Sequence, residues 1–339
     1  MRVLHAVRSD AFAGVESHVA RLAVAQHARG DEVVVIGGDP ARMAAAVAGA
    51  ARLVPATTVA EVGRSVRRWA PRADVVHAHM TAAEIACAAA LVGLRSPLVA
   101  TRHFARVRGS NPASTLAAEL AATRVSAQIA ISHYVATSVD GSSTVIHPGV
   151  GSSTTTAATD RRENVVLVAQ RLEAEKETEL AVRAFAQSRL AESGWVLEVA
   201  GSGAQADALR SLTLELGVAA STRFLGHSSD VAGLMRRAAV LLAPCRVEGL
   251  GLTVLEAMAE ALPIVAVAAG GHLETVGSVA GARLHAPGDD VEAGALVREL
   301  ALDPTARDAY GASLQQAQRE RFTPEHQAEL TAAVYGRVV

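Results

Sequence analysis

Aromatic residues, cysteine and lysine are scarce in this 339-residue chain, and each scarcity excludes a class of function. Aromatic residues make up 3% of the sequence, too few to stack on bases, so nucleic-acid binding is not expected. The two cysteines, Cys87 and Cys245, stand in apolar surroundings without CxxC spacing. This excludes a disulfide framework and a cysteine zinc site, and predicts two buried, reduced thiols. Lys176 is the single lysine among 32 basic residues.

Long apolar runs are also absent. The longest candidate, residues 85–94, is rich in alanine and about half as long as the roughly 18 to 20 residues that span a bilayer, so we interpret it as a buried helix. Residues 1–5 enter a strand-like run directly, without the regions of a signal peptide, and we expect a cytoplasmic protein. Peripheral contact with the inner face of a membrane stays open because of one short basic stretch. It consists of Arg64, Arg67, Arg68 and Trp69.

The composition that is present predicts a large core. Half of the residues are hydrophobic and 19% are charged, which suits a folded chain of two domains. Residues 1–150 carry 15 arginines against 10 acidic residues, a net charge of +5, whereas residues 151–339 carry 17 basic against 24 acidic residues, a net of −7. The asymmetry suggests an anionic ligand for the first half, although solvated surface arginines would give the same counts.

Strand-like apolar runs alternate with helix-length segments in both halves, beginning with an amphipathic segment at 15–29 that Gly30 ends. In the first half, strands are predicted at 3–7, 32–36, 74–77, 97–101, 127–131 and 144–147. In the second half, they are predicted at 165–169, 196–200, 222–225, 240–243, 264–268 and 282–285. Continuous apolar strands separated by helices are typical of parallel sheets covered on both faces, so we predict an α/β chain with two doubly wound, Rossmann-like domains.

The domain boundary is predicted within residues 149–163, a small, polar stretch without periodicity and with the composition of a linker. The domains are then 1–150 and 151–322. Thr323 and Pro324 form a cap and first-turn pair that opens a final helix to about Arg337. We expect this C-terminal segment, 323–339, to pack back on the first domain. Two such domains would face a central cleft, with ligands bound at the strand-to-helix turns.

The turn at 244–258 has the features of an anion site. A strand ends at Pro244, two glycines permit close approach of a ligand, and a helix begins near Thr253 with unpaired N–H groups. A pyrophosphate could lie on the amides of three successive residues, Gly251, Leu252 and Thr253, with the helix dipole behind it. Two carboxylates flank this turn, and hydroxyls are their natural partners: a sugar at Glu248 and a ribose at Glu256. Solvated helix-end acids are the alternative interpretation.

A second strand-to-helix turn, 169–176, carries two basic groups. Arg171 can grip a phosphate with two parallel hydrogen bonds, and Lys176 supplies a compact charge. Both follow a predicted strand, so we expect them at the same end of the sheet as the anion site. The alternative is a solvated lysine among three glutamates.

Several motifs resemble the retaining glycosyltransferases of family 4, which have the GT-B fold. The segment EGLGLTVLEAMA at 248–259 is followed by PIVA at 263–266 and GGHLE at 270–274. Earlier motifs, AGVE at 13–16, DVVHAH at 74–79 and GSG at 201–203, extend the resemblance over most of the chain.

The resemblance implies a nucleotide-sugar donor on the second domain, retention at the anomeric carbon and no metal requirement. Arg171 and Lys176 correspond to the family's pyrophosphate-binding pair. Gly14 lies in the loop that approaches the phosphates, and His103 is the histidine beside the reacting sugar, which makes His103 and Glu248 the catalytic candidates. Three arginines near His103 could bind an anionic acceptor or could form a solvated loop; they are Arg102, Arg106 and Arg108.

The sequence therefore predicts a metal-independent transferase that moves a hexose-type unit from a UDP- or GDP-sugar to a hydroxyl acceptor. A glycan, glycolipid, polyol or natural product would serve as acceptor. Two alternatives stay open: a sugar-nucleotide epimerase of the same architecture and a non-catalytic sugar-nucleotide-binding subunit. His77 and His79 share one strand face, but no third metal ligand is identifiable near them in the sequence, so no metal site is predicted. The sequence leaves the oligomeric state undefined.

Overall fold

The chain forms two compact units, each built on a parallel sheet. In a computed structural model that describes residues 1–108, 112–153 and 162–339, the first unit comprises 1–149 and 322–339 and the second comprises 150–321. Most of the predicted linker, residues 154–161, lies outside the described residues.

The first unit contains a seven-stranded sheet in the order β3-β2-β1-β4-β5-β6-β7, with every neighbouring pair parallel. Its strands are β1 (Arg2–Val7), β2 (Glu32–Ile36), β3 (Arg52–Val54), β4 (Val75–His79), β5 (Leu98–Arg102), β6 (Val125–Ala130) and β7 (Thr144–Val145). Six of the seven were predicted to within a few residues. The pattern missed β3 because three half-exposed residues at the sheet edge make no apolar run.

Seven helices cover this sheet. They are α1 (Gly14–Ala28), α2 (Pro40–Val47), α3 (Val59–Trp69), α4 (Thr81–Ala90), α5 (Pro112–Ala122), α6 (His133–Ser138) and, at the C-terminus, α13 (Pro324–Tyr335). Local chemistry defines their starts: Thr58 accepts a hydrogen bond from the Glu61 amide, and the Glu61 carboxylate accepts one from the Thr58 amide in a capping box. The segment read as a buried helix at 85–94 coincides largely with α4.

The C-terminal helix α13 belongs to the first unit and packs on α1, where Ala328 is buried against Leu22 and Ala25. Close packing also fixes the backbone where the chain leaves this unit. A Cβ on Gly149 would lie 2.2 Å from the carbonyl carbon of Thr323, so only glycine fits at this approach.

The second unit repeats the architecture with a six-stranded parallel sheet in the order β10-β9-β8-β11-β12-β13. Its strands are β8 (Val165–Ala169), β9 (Val196–Ala200), β10 (Thr222–Gly226), β11 (Val240–Ala243), β12 (Ile264–Val267) and β13 (Arg283–His285). The helices are α7 (Thr178–Ser188), α8 (Ala206–Glu215), α9 (Val231–Arg237), α10 (Leu252–Ala259), α11 (Asp290–Leu302) and α12 (Pro304–Arg321).

Both sheets are doubly wound, which confirms the predicted fold class. All four residues of β12 are completely buried, as expected for a parallel strand covered on both faces. Cys87 and Cys245 are buried and form no disulfide, as predicted. Among the described residues, no helix combines the length and apolar character that crossing a bilayer requires.

The strand orders place a reversal between β1 and β4 in the first unit and between β8 and β11 in the second. At such a reversal the neighbouring strand-to-helix connections diverge to opposite faces and leave a crevice at the carboxyl ends of the strands. The turns after β8 and β11 carry Lys176 and Glu248. In the first unit, His5 lies on β1, His77 and His79 lie on β4, and His103 follows β5.

Candidate functional site

Two strand-to-helix turns of the second unit meet through side-chain contacts. The Lys176 Nζ atom, from the turn after β8, lies 2.6 Å from Oε2 of Glu248, from the turn after β11. Beside this pair, the Arg246 guanidinium lies 2.8 Å from the Glu177 carboxylate. The structure therefore brings together two residues that the sequence assigned to separate roles, 72 positions apart.

Helix α10 begins at this place. Gly251 is its N-cap, with a φ of +93° in the left-handed region that favours glycine. The amides of the first turn have no intrahelical acceptors. Because Leu252 and Thr253 are half-buried, the helix start lies close to the surface, where a ligand can reach it. This is the geometry of an anion site.

The Gly270–Gly271 pair supports the loop that carries Glu248. A Cβ on Gly270 would lie 2.8 Å from the Glu248 carbonyl oxygen, and one on Gly271 would lie 2.3 Å from Cα of Leu250. The Gly271 amide also donates to the Glu248 carbonyl at 2.9 Å. Two glycines are therefore needed for the loop to pack this closely, and they hold Glu248 in place.

A second pair of glycines supports the turn that carries Arg171 and Lys176. A Cβ on Gly201 would lie 1.8 Å from the Gln170 carbonyl oxygen, and one on Gly203 would lie 2.4 Å from that of Leu172. The Gln170 side chain then donates to the Lys176 carbonyl oxygen at 2.8 Å. The GSG motif thus acts in this structure as a backbone support for the basic turn.

The charges of this site differ in exposure. The Lys176 side chain is 17% exposed. Burial lowers the pKa of its ammonium group, but the nearby Glu248 carboxylate outweighs burial and leaves that pKa raised. The ammonium is therefore charged. Arg171 is 67% exposed and lies 3.2 Å from the Glu175 carboxylate. Glu256 lies one turn inside α10 and is half-buried. A solvent-facing guanidinium, a charged lysine and a helix N-terminus therefore share one region of the second unit.

The first unit contains a cluster of five buried histidines, His5, His18, His77, His79 and His103, which we call the histidine cluster. His103 follows β5 and is 7% exposed. Its Nε2 atom lies 3.1 Å from Nδ1 of His79, whose Nε2 lies 3.0 Å from Nδ1 of His5. The sequence identified His103 as a candidate and missed its connection to the other four.

All five rings are neutral at pH 7. Burial lowers the pKa of His5 to about 4 and that of His103 to about 3. Burial, followed by the neighbouring histidines, places the pKa values of His18, His77 and His79 well below the usual range. A neutral imidazole has one N–H donor and one lone pair, so each ring can donate one hydrogen bond and accept another.

The expectation that His77 and His79 lack a third ligand is wrong in geometric terms. The register of β1 and β4 places His5 beside His77, and ring nitrogens of His5, His77 and His79 lie within 4.8 Å of one another. His18, His79 and His103 form a second such set. Hydrogen bonds already use many of the ring nitrogens that a metal ion would need. Both ring nitrogens of His77 lie 2.6 Å from hydroxyl groups, those of Tyr335 and Thr101.

The three arginines expected to bind an acceptor divide into two kinds. Arg102 and Arg108 are buried, and both pair with Asp140. Arg108 also lies 2.8 Å from the buried Glu84 carboxylate and donates to Gln128 at 2.6 Å. The solvated-loop alternative is therefore wrong for these two, because their charges are compensated inside the unit. Arg106 is exposed.

Two further sequence predictions fall on the surface of the first unit. Gly14 is exposed at the first position of α1, next to Ala13, the N-cap residue. In the stretch proposed for membrane contact, the Arg67 guanidinium donates to two backbone carbonyls, and the Trp69 ring is half-buried beneath the guanidinium of Arg52. Arg64, Arg67 and Arg68 are exposed.

Comparisons with known proteins match each half of the chain to a glycosyltransferase family model. Residues 12–152 match the family model "Glycosyltransferase Family 4", and residues 156–317 match "Glycosyl transferases group 1". Glycogen synthase of Mycobacterium tuberculosis is 33% identical over 172 residues, covering 50% of this chain and 42% of that protein. The lipopolysaccharide core biosynthesis mannosyltransferase LpcC of Rhizobium leguminosarum is 33% identical over 182 residues, covering 50% and 49%. The chain thus aligns with about half the length of these relatives.

Solved structures share the fold over the whole chain. Anabaena Alr3699/HepE, crystallised with UDP, has a TM-score of 0.81 at 20% identity, covering 99% of this chain and 100% of that one. Sucrose-phosphate synthase from Thermosynechococcus elongatus has a TM-score of 0.79 at 16% identity, covering 100% and 99%. With both halves matched by glycosyltransferase models and the fold matched throughout, the chain belongs to the GT-B glycosyltransferases, as its motifs predicted.

Proposed function

We propose that this protein is a retaining glycosyltransferase that moves a hexose-type sugar from a UDP- or GDP-sugar to a hydroxyl acceptor. The observation that carries the proposal is the convergence of Lys176, Glu248 and the start of α10 in the second unit. A cation beside unpaired helix amides suits a pyrophosphate, and an adjacent carboxylate suits sugar hydroxyls. The motifs and the family supply the assignment to glycosyl transfer.

The donor is assigned to the second unit. Its diphosphate would bind the amides of Gly251, Leu252 and Thr253, with Lys176 and the exposed Arg171 as counter-charges. Glu248 would exchange its bond to Lys176 for hydroxyls of the donor sugar, and Glu256 would accept from the ribose. When the glycosidic bond breaks, negative charge grows on the leaving diphosphate, and fixed cations and helix amides stabilise it without a metal ion. His103 of the first unit would hydrogen-bond to the reacting sugar.

Both nucleotide bases have support among similar proteins. Anabaena HepE has been crystallised with UDP and with UDP-glucose, whereas a Corynebacterium glutamicum relative, 33% identical over 159 residues, is named a GDP-mannose-dependent mannosyltransferase. The name of the Corynebacterium glutamicum relative also includes phosphatidylinositol monomannoside, and a Streptomyces kanamyceticus relative is named a 2-deoxystreptamine glucosyltransferase. This range of acceptors is consistent with a hydroxyl acceptor of undetermined class.

A thermal-shift panel tests donor binding. We expect either UDP and UDP-glucose, or GDP and GDP-mannose, to raise the unfolding temperature of the second unit by roughly 5 to 10 °C at about 100 times Kd, because a ligand that binds only the native state stabilises it. ADP and NADH serve as controls and should give no shift. A shift with NADH alone, or no shift with any nucleotide, would contradict the donor site.

Replacing Glu256 with glutamine should lower turnover about tenfold, because a neutral amide is a weaker acceptor for ribose hydroxyls than a carboxylate. Initial rates with the donor found in the panel measure this effect. Glu215→Gln, an exposed change at the end of α8 in the same unit, is the matched control and should retain full activity. Equal rates for the two variants would remove Glu256 from the donor site.

A further inference from the structure

Four of the five residues of the histidine cluster, all except His18, belong to one continuous chain of hydrogen bonds inside the first unit. From His103 it passes through His79 and His5, as described above, and then reaches Gln26, whose Oε1 lies 2.7 Å from Nε2 of His5. The Gln26 amide nitrogen donates to the Tyr335 hydroxyl at 3.3 Å. That hydroxyl lies 2.6 Å from Nδ1 of His77, which ends the chain at the hydroxyl of Thr101.

The hydrogen bonds of this chain all run in the same direction from donor to acceptor. The Gln26 carbonyl oxygen can only accept, so the proton of neutral His5 is on Nε2 and its Nδ1 has the lone pair. His79 must then donate from Nε2 to His5, which leaves its own Nδ1 as an acceptor. His103 donates from Nε2 to that atom, and its remaining lone pair is on Nδ1. The Gln26 amide, three hydrogen bonds away from His103, thus determines which nitrogen of His103 is protonated.

The Nδ1 atom of His103 makes no hydrogen bond to any of the described residues. It is therefore the ring atom left for a ligand. With a lone pair and no proton, it can accept from an O–H group but cannot donate to a phosphate or carboxylate oxygen.

The hydrogen bond of His18 places its proton on the opposite ring nitrogen. The Gly149 amide donates to Oε1 of Gln327 at 2.8 Å, so the Gln327 nitrogen faces Nε2 of His18 at 3.2 Å as the donor. The proton of His18 must then be on Nδ1, a buried atom with no partner. The lone pair of His18 is then on Nε2, where it already accepts from the Gln327 amide. The same cluster therefore holds two opposite tautomers, set by two different glutamines.

We propose that Gln26, acting through His5 and His79, is a positioning residue that keeps His103 in the Nε2-protonated form, so that its Nδ1 accepts a hydrogen bond from a hydroxyl of the bound sugar. The proposal rests on the proposed function, in which His103 contacts the reacting sugar. A hydroxyl-selective acceptor at this position would favour a sugar with an unmodified hydroxyl there over its phosphorylated or carboxylated form.

The tautomers can be read without any activity measurement. In long-range 1H–15N spectra of the full chain labelled with 15N-histidine, each ring nitrogen reports whether it carries a proton. We expect His5, His77, His79 and His103 to be protonated on Nε2 and His18 on Nδ1, with single His→Gln variants assigning the signals. A wild-type spectrum with His103 protonated on Nδ1 would overturn the proposal.

Three variants then test the role of Gln26. Burial favours the neutral carboxylic acid in Gln26→Glu, which keeps a carbonyl acceptor toward His5 and an O–H donor toward Tyr335, so His103 should keep its tautomer and turnover should stay within about twofold of wild type. Gln26→Lys offers only donors, which should reverse the chain, move the His103 proton to Nδ1 and lower turnover by roughly tenfold or more, with little change in KM for the donor. Gln327→Met is the matched control, because among the five cluster histidines it should alter His18 alone.

The results separate the proposal about Gln26 from the proposed function. If Gln26→Lys leaves the His103 tautomer unchanged, or changes it without affecting turnover, Gln26 is not a positioning residue. If the wild-type protein has the expected tautomers but shows no glycosyl transfer with any donor, the proposed function fails while the hydrogen-bond chain stands. Should Gln26→Lys fail to fold, the wild-type spectrum and the Gln26→Glu kinetics still decide the inference.

Discussion

Replacing Lys176 with methionine should reduce turnover by roughly 100-fold, because a fixed cation that stabilises charge on a leaving group contributes about 10² to 10³ in rate. Methionine keeps much of the length of the side chain and removes only its charge. In the unliganded protein this charge is already committed to Glu248, 2.6 Å away. In the proposed complex the donor diphosphate replaces that carboxylate at Lys176, so the variant loses the phosphate contact. Initial rates at saturating donor measure the effect.

Two controls separate the charge from the fold. Arg183→Met removes an exposed cation from α7, where its partner is Glu179 on the same helix, and should leave turnover unchanged. Combining Lys176→Met with Glu248→Gln removes the unpaired carboxylate, so any loss of stability in the single variant should be largely reversed while activity stays low. If Lys176→Met turned over donor as fast as Arg183→Met, the diphosphate would have to bind elsewhere.

The backbone frame of this site could be predicted from the sequence. The strands β8, β9 and β11 were predicted with their observed bounds, because each is a continuous apolar run that a covered parallel strand requires. Once the strands are known, the rule that ligands bind at their carboxyl ends identifies the turns that carry Lys176 and Glu248. Gly201 and Gly271 entered the prediction only as parts of the family motifs, and their close contacts with neighbouring backbone are a finding of the structure.

Contacts between side chains distant in sequence could not be predicted. The pairing of Lys176 with Glu248 depends on how two turns meet, and no local pattern contains that information. The burial of Arg102 and Arg108 depends in the same way on Asp140, which no local sequence pattern places beside them. Polar residues in an apolar pattern show that something must satisfy them, but their partners follow only from the tertiary structure.

The histidine cluster could not be predicted from the sequence for the same reason. Alternation along β4 predicted that His77 and His79 share a face, but His5 joins them only through the register of β1 with β4. His18 comes from α1, and Gln327 from a helix 309 residues further along the chain. A cluster assembled from this many elements has no signature in any one of them. Its energetic consequence, however, can be calculated once the burial is known.

Acidification from pH 7 to pH 5 should strongly destabilise the first unit. Its five cluster histidines have folded pKa values below their unfolded value of about 6.5, so between those values the unfolded chain binds protons that the native state does not. Stability is therefore complete above about pH 6.5 and falls as the pH decreases toward 4. Each histidine costs roughly 2 kcal/mol at pH 5, and five cost on the order of 10 kcal/mol, comparable to the whole stability of a typical domain at about 5 to 15 kcal/mol.

Urea unfolding at several pH values tests this prediction, and the two tryptophans permit a unit-specific measurement. Trp69 lies in the first unit and Trp195 in the second, so fluorescence of a Trp195→Phe variant follows the first unit alone. The slope of the unfolding free energy against pH gives the protons taken up, at about 1.4 kcal/mol per pH unit for each. His18→Gln should lower that slope by about one proton, whereas the control His27→Gln, at an exposed position on the same helix, should change it much less. An unfolding free energy that stays constant from pH 7 to 5 would mean that these rings are not held neutral, and the tautomers inferred for them would lose their basis.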